Sequence, residues 1–140
     1  MKKISVINAK IRRLNLKAEY TKFFNELGKI EKEIIEKEVV YINDEEPIFC
    51  FFSKIEYWWV ITNLRIVICE NNIVTYNPFE EIIKVQLNDI FEGEISKEEC
   101  QNLEINLRNG EEIKINVEKN TWYAIYNIIK FLALSDSSAT

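Results

Sequence analysis

Histidine is absent from this chain. A serine or cysteine nucleophile activated by an imidazole is therefore impossible within one copy. Acid or base chemistry would fall to carboxylates, lysine, tyrosine or cysteine, and no arrangement of these stands out, so no catalytic residue is expected. Cysteine is scarce and odd in number: Cys50, Cys69 and Cys100. An odd count argues against a disulfide framework. Their separations of 19 and 31 residues, with no histidine to help, make no zinc set. Cys50 and Cys69 lie in apolar runs, where cysteine acts as a small buried hydrophobe. The three glycines are isolated, which excludes a glycine-rich phosphate loop. No stretch approaches the roughly 20 apolar residues of a membrane span. The N-terminal residues lack the apolar segment and small-residue cleavage site of a signal peptide. The expected location is cytoplasmic, and no cofactor or metal is expected.

What remains is an ordinary core-forming composition, 47% hydrophobic and 29% charged over 140 residues, the size of one domain. Its charge is unevenly spread. Residues 1–17 hold Lys2, Lys3, Lys10, Arg12, Arg13 and Lys17 and no acid. The rest hold the other 12 basic residues and all 23 acidic ones, a net charge of −11. Such a body repels nucleic acid and anionic lipid. Only the basic arm, residues 2–17, could meet a membrane.

The periodicity changes along the chain. Ile4, Ile7, Ile11 and Leu14 form one helical stripe that ends near Asn15. Leu16, Tyr20, Phe23, Leu27, Ile30 and Ile34 alternate spacings of four and three, a heptad-like stripe that predicts helix and offers an assembly surface, with Gly28 as its weak point. From Pro47 the pattern becomes that of strands: Pro47 to Phe52, Tyr57 to Ile61, Arg65 to Cys69 and Ile73 to Tyr76. Asn71-Asn72 predicts a tight turn. A fifth element begins at Ile82 and extends toward Phe91, and residues 93–99 read as an acidic loop. Leu103, Ile105 and Leu107 then alternate with polar residues, as do Ile113, Ile115 and Val117. A three-residue loop, Arg108-Asn109-Gly110, keeps both apolar sets on one face, pairing Ile105 with Ile113 and Leu103 with Ile115. It puts Gly110 at the left-handed position of the turn. After Asn120 or Thr121 as N-cap, Trp122, Ile125, Tyr126, Ile129 and Leu132 share one helical face. The polar tail, 135–140, is expected to be disordered.

Four stretches carry a family resemblance. Asp44-Glu45-Glu46-Pro47-Ile48 is an acidic approach to a first strand, and Thr62-Asn63-Leu64-Arg65 sits inside a hydrophobic hairpin. With Pro78 to Val85 and the Leu103 to Val117 hairpin, this order resembles the bacterial pleckstrin-homology-like (PH/GRAM-like) domain over residues 44–134. The resemblance implies an α+β fold. It would be a small β-barrel or roll of about seven antiparallel strands, capped by a C-terminal helix, with residues 1–43 as a basic arm and helical extension. The family's usual glycine before the entry glutamate is absent here. Lipid-binding relatives hold phosphoinositide with several Lys and Arg near the first two strands. Here Lys54 and Arg65 face Glu45, Glu46 and Glu56, so that site does not carry over.

Thr62, Asn63 and Arg65 read as a turn brace: Thr62 and Asn63 hydrogen-bonded to backbone, and Arg65 reaching a carboxylate or a carbonyl. Asn109 and Gly110 are the second structural turn. Alternation puts Tyr57, Trp59 and Ile61 on one face and Trp58, Val60 and Thr62 on the other. Trp59 and Ile61 are expected inside. Trp58, with Tyr57, Glu80 and Glu81, is then the candidate contact for a protein partner. The function expected is a non-enzymatic protein-binding or self-assembling adaptor module, with homo-oligomers possible. One alternative is an acidic inhibitor or immunity protein that blocks a basic toxin by charge steering. Another is membrane recruitment through residues 2–17.

Overall fold

The computed structural model describes residues 2–87 and 100–134. The chain is α+β, with eight antiparallel strands in two sheets and three helices among the described residues. It divides into two compact units: residues 1–8 with 18–78, and residues 9–17 with 79–140. Helix α1, Ile4–Arg13, runs across that division. Its stripe is used for packing, since Ile7 and Ile11 are buried. It ends where Asn15 takes a left-handed backbone (φ 50°), a conformation asparagine tolerates.

The first unit is a five-stranded sheet in sequence order: β1 (Thr21–Phe23), β2 (Pro47–Lys54), β3 (Tyr57–Thr62), β4 (Arg65–Glu70) and β5 (Ile73–Pro78). Helix α2, Lys29–Glu38, lies between β1 and β2 in the chain. The expected helix from Leu16 to Ile34 is therefore wrong over most of its length. Thr21, Lys22 and Phe23 pair with Phe51, Cys50 and Phe49 of β2. The Phe23 and Phe49 rings meet edge-on, 5.5 Å apart. Pairing distant in sequence overrides a local helical spacing, which is a weak constraint by itself. A 3-10 turn, Phe24–Glu26, follows, and the helix starts only after Gly28. Ile30, a member of the supposed stripe, is 70% exposed. Of the stripe only Leu27 is buried, and the other apolar residues buried here are Phe24, Ile35 and Val39.

The second unit is a three-stranded sheet, β6 (Ile82–Leu87), β7 (Asn102–Leu107) and β8 (Glu112–Asn116), followed by α3, Trp122–Ala133. The barrel expectation is corrected: the described strands form two separate ladders, five-stranded and three-stranded, and no closed barrel. The strand count rises to eight because β1 was hidden in the helical stripe. The expected extension of β6 to Phe91, the loop at 93–99 and the tail at 135–140 lie outside the described residues.

Hairpin geometry follows the turn residues closely. Glu70 pairs with Ile73 across Asn71-Asn72, both left-handed (φ 53° and 65°). Leu103 pairs with Ile115 and Ile105 with Ile113, the expected register. The loop closes through Gly110 N donating to Leu107 O at 3.0 Å, with Gly110 at φ +94°. On α3 the buried residues are Ala124, Ile125, Ile128, Ile129 and Leu132, whereas Trp122 and Tyr126 are only partly buried. Thr121 occupies the N-cap, but its hydroxyl turns back to Glu118 O at 2.6 Å and caps nothing. Asn120 supplies the left-handed step before it (φ 69°).

Gly110→Ala tests the second turn. No atom lies within 4 Å of the added Cβ, so the loss should reflect backbone conformation alone. About 1–2 kcal/mol of stability should disappear in urea denaturation.

Candidate functional site

The strongest polar constellation lies in the first unit, where two of the stretches behind the family resemblance meet. Asp44 has a left-handed backbone (φ 65°), which turns the chain so that Glu45 points inward. Left-handed backbone is what glycine tolerates best. The Glu45 side chain is fully buried. Its carboxylate accepts four hydrogen bonds. Arg65 Nε and Nη2 donate to separate oxygens, each at 2.8 Å. Thr62 Oγ1 donates at 2.6 Å, and the Ile42 amide donates at 3.0 Å. Burial by itself pushes the Glu45 carboxyl up, but the hydrogen bonds from Arg65, Thr62 and the Ile42 amide, with the guanidinium charge, hold it below the usual carboxylate range.

Each partner is held in turn. Thr62 Oγ1 accepts from the amides of Leu64 and Arg65, both at 3.0 Å, which fixes the β3–β4 turn. Arg65 Nη2 also donates to Val40 O at 2.8 Å, and its guanidinium stacks 4.2 Å from the Tyr76 ring centre. Tyr76 Oη accepts from the Val40 amide at 3.0 Å. Asn63 clamps the approach segment: its Oδ1 accepts from Glu46 N at 2.8 Å and its Nδ2 donates to Asp44 O at 2.9 Å. The brace expected for Thr62 and Arg65 is present, with Arg65 reaching both a carboxylate and a carbonyl. Asn63 braces backbone across the sheet end as well, reaching residues 44–46. This is a structural clasp. Neither of the two cations weighed for an anion site is unengaged, since Arg65 is bound to Glu45 and Lys54 lies 3.8 Å from Glu56.

The structure separates the proposed partner contacts. Trp58 is corrected: it is fully buried, as is Trp59. Trp58 lies in one cluster with Phe24, Leu27, Ile35, Val39, Cys50, Val60, Val67 and Cys69. The N-terminal third thus covers the face thought to be open. Trp59 tilts against Phe51, their ring centres 5.9 Å apart. Tyr57 is buried as well, so it offers no surface. Glu80 and Glu81 are exposed, in a 3-10 turn, Phe79–Glu81. Only their carbonyls are engaged, Glu80 O by Arg108 Nε at 2.7 Å and Glu81 O by the Arg108 amide at 2.9 Å.

A surface that sequence reasoning missed lies on α3. Trp122 meets Tyr123 and Tyr126 edge-on, with ring centres 5.4 and 6.4 Å away. Tyr123 is 62% exposed, and Lys130 caps Tyr126 at 5.2 Å. The heptad spacing assigned Trp122 and Tyr126 to the inner face. The signal available was that Trp122-Tyr123 are adjacent, so that on a helix both cannot point inward.

Among the described residues no group of histidine, cysteine, aspartate and glutamate could hold a metal ion. No described helix is long and apolar enough to cross a membrane. Searches against protein-family models, curated proteins and solved structures find no match to this chain.

Glu45→Gln or Arg65→Met leaves one buried group without its charge partner. Each should cost about 3–5 kcal/mol in urea denaturation. The native pKa of Glu45 lies below its ordinary value of 4.5. Its contribution is therefore complete above that value and is lost as the pH falls through the native pKa. Urea midpoints measured from pH 7 to pH 3 should show that loss in the natural protein and not in Glu45→Gln. Asp44→Gly should gain up to about 1 kcal/mol. The left-handed penalty of a side chain is removed, less the freedom glycine returns to the unfolded chain.

Proposed function

We propose that this chain is a non-enzymatic protein-binding or self-assembling adaptor module of PH-like type. The fold reading is supported by order: β2 to β8 make seven strands, and α3 follows them. It is supported also by the Glu45–Arg65 clasp, which gives the acidic approach and the Thr-Asn-x-Arg turn one joint structural purpose. The observation that carries the binding reading is the aromatic group on α3. Tyrosine and tryptophan supply large contact area at small entropic cost and dominate binding hot spots. Tyr123 presents its ring to solvent beside Trp122 and Tyr126.

A second reading, an acidic inhibitor of a basic protein, is favoured by charge. The net −11 beyond residue 17 includes Glu80 and Glu81, whose side chains are exposed. Such a surface accelerates encounter with a cationic partner. Membrane recruitment through residues 2–17 has less support, because Ile7 and Ile11, the apolar residues it would insert, are buried.

Light scattering over a concentration series separates these. Self-assembly predicts a mass above the 16.7 kDa of one chain, returned to monomer by Tyr123→Ala with an unchanged melting temperature. A monomer throughout removes self-assembly. The inhibitor reading predicts recovery of a basic protein from native lysate. Binding should weaken in salt, and the association rate should fall several-fold in Glu80→Lys/Glu81→Lys. Recovery of no cationic partner ends it.

A further inference from the structure

We propose that residues 29–46, α2 and the strap behind it, form a clasped flap that opens from the β2–β4 face while the sheet stays paired. This goes beyond the binding reading above and does not depend on it. The segment is tethered at both ends. Before it, β1 is paired to β2, and after it the chain enters β2 itself. Between these anchors the flap contributes only Ile35 and Val39 to the fully buried cluster, while Tyr41 packs against it partly buried. The outer side of α2 is charged, and Ile30 on it is exposed. Few apolar contacts therefore hold the flap down.

Polar bonds do most of the holding. Val40 is gripped through its carbonyl by Arg65 and through its amide by the Tyr76 hydroxyl. Glu45 is gripped by Arg65 and Thr62, and the backbone of Asp44 and Glu46 by Asn63. Such bonds are exchanged for water when a segment lifts, so they resist opening less than apolar burial does. Two polar groups buried by the closed flap, one beneath it and one on it, favour opening outright. Trp58 Nε1 and Tyr41 Oη are buried and have no hydrogen-bond partner among the described residues. Water supplies one as soon as the flap lifts. A segment with few buried apolar contacts and unsatisfied groups buried by its closure belongs to the low-stability end of a structure. Its opening uncovers Trp58, Cys50 and Cys69 on a sheet whose β3 remains bonded to β2 and β4.

Cys50 reports the open state. In the closed form it is fully buried and burial pushes its thiol up to about 12, so it is inert. The full-length protein is alkylated under native conditions and mapped by mass spectrometry, beside hydrogen exchange of the same sample. The opening constant read from Cys50 should exceed that of the β3 amides, residues 58–61, at least tenfold, with α2 amides opening alongside Cys50. Glu45→Gln removes bonds present only in the closed form, so it should raise the Cys50 constant tenfold or more, raise the β3 amides by the same factor and leave the gap between them. Tyr76→Phe, a milder change that keeps the ring under Arg65, should raise it about threefold. A Cys50 constant equal to that of the β3 amides overturns the proposal, and so does a Cys50 constant that Glu45→Gln and Tyr76→Phe leave unmoved.

Discussion

A carboxylate with its side chain wholly out of solvent is tolerable only when every lone pair has a donor. Glu45 meets that condition with four, and the condition fixes much of the first unit. Two donors come from Arg65 at the start of β4, one from Thr62 at the end of β3, and one from the Ile42 amide in its own approach segment. Satisfying them sets the β3–β4 turn, the path of residues 40–46 and the starting point of β2. The path in turn sets where α2 ends. Val39, the residue after α2, is buried against the same cluster as Trp58, one residue before the Val40 carbonyl that Arg65 holds. A polar contact at the sheet end thus decides whether an apolar face in its middle is covered.

That dependence explains why two adjacent tryptophans are both buried. On a strand, neighbours point to opposite faces, and a sheet with one wet face buries only one of them. All six residues of β3 are buried here. Trp58 is covered by Phe24, Leu27, Ile35 and Val39, from a region whose own periodicity gave no hint of a sheet beneath it. The cover is imperfect: the indole N–H has no acceptor among the described residues. A buried indole N–H without a partner costs stability that a phenylalanine at this place would not.

What could be read from the sequence was what is decided locally. Asn71-Asn72 and Asn109-Gly110 specify their turns because few residues accept positive φ, and the alternation on either side leaves one register that keeps Leu103, Ile105, Ile113 and Ile115 together. The α1 stripe was legible for the same reason, ending at Asn15. Illegible features depended on partners far away in sequence. Thr21 to Phe23 have the spacing of a helix and the structure of a strand, because β2 lies some 28 residues downstream to pair with them. Thr121 has the chemistry of an N-cap, but the Glu118 carbonyl claims its hydroxyl. Of the candidate site, Arg65 was legible as a residue that must reach an acceptor. Which of Glu45, Glu46 and Glu56 it would choose was not, since that choice depends on the left-handed turn at Asp44.

The clasp also bears on what the chain can bind. The motifs that resemble a known family are spent on one another: the acidic approach and the Thr-Asn-x-Arg turn satisfy each other's charges inside the first unit. A residue with four satisfied contacts has nothing left for a ligand, so these motifs speak for architecture and carry no binding chemistry with them. An anion site would need unpaired cations near β2 and β3, and Arg65 and Lys54 both have carboxylate neighbours. Under the proposed binding function, recognition falls to groups the clasp leaves outside. On the second unit those are the rings of α3 and the carboxylates of Glu80 and Glu81, which differ in kind. Aromatic rings fix affinity through area removed from water, and that contribution survives salt. Exposed carboxylates govern encounter and fade as salt rises. A partner held by α3 would be insensitive to ionic strength, and one drawn in by Glu80 and Glu81 would not be. The salt dependence of binding therefore separates the two readings on physical grounds, before any partner is named.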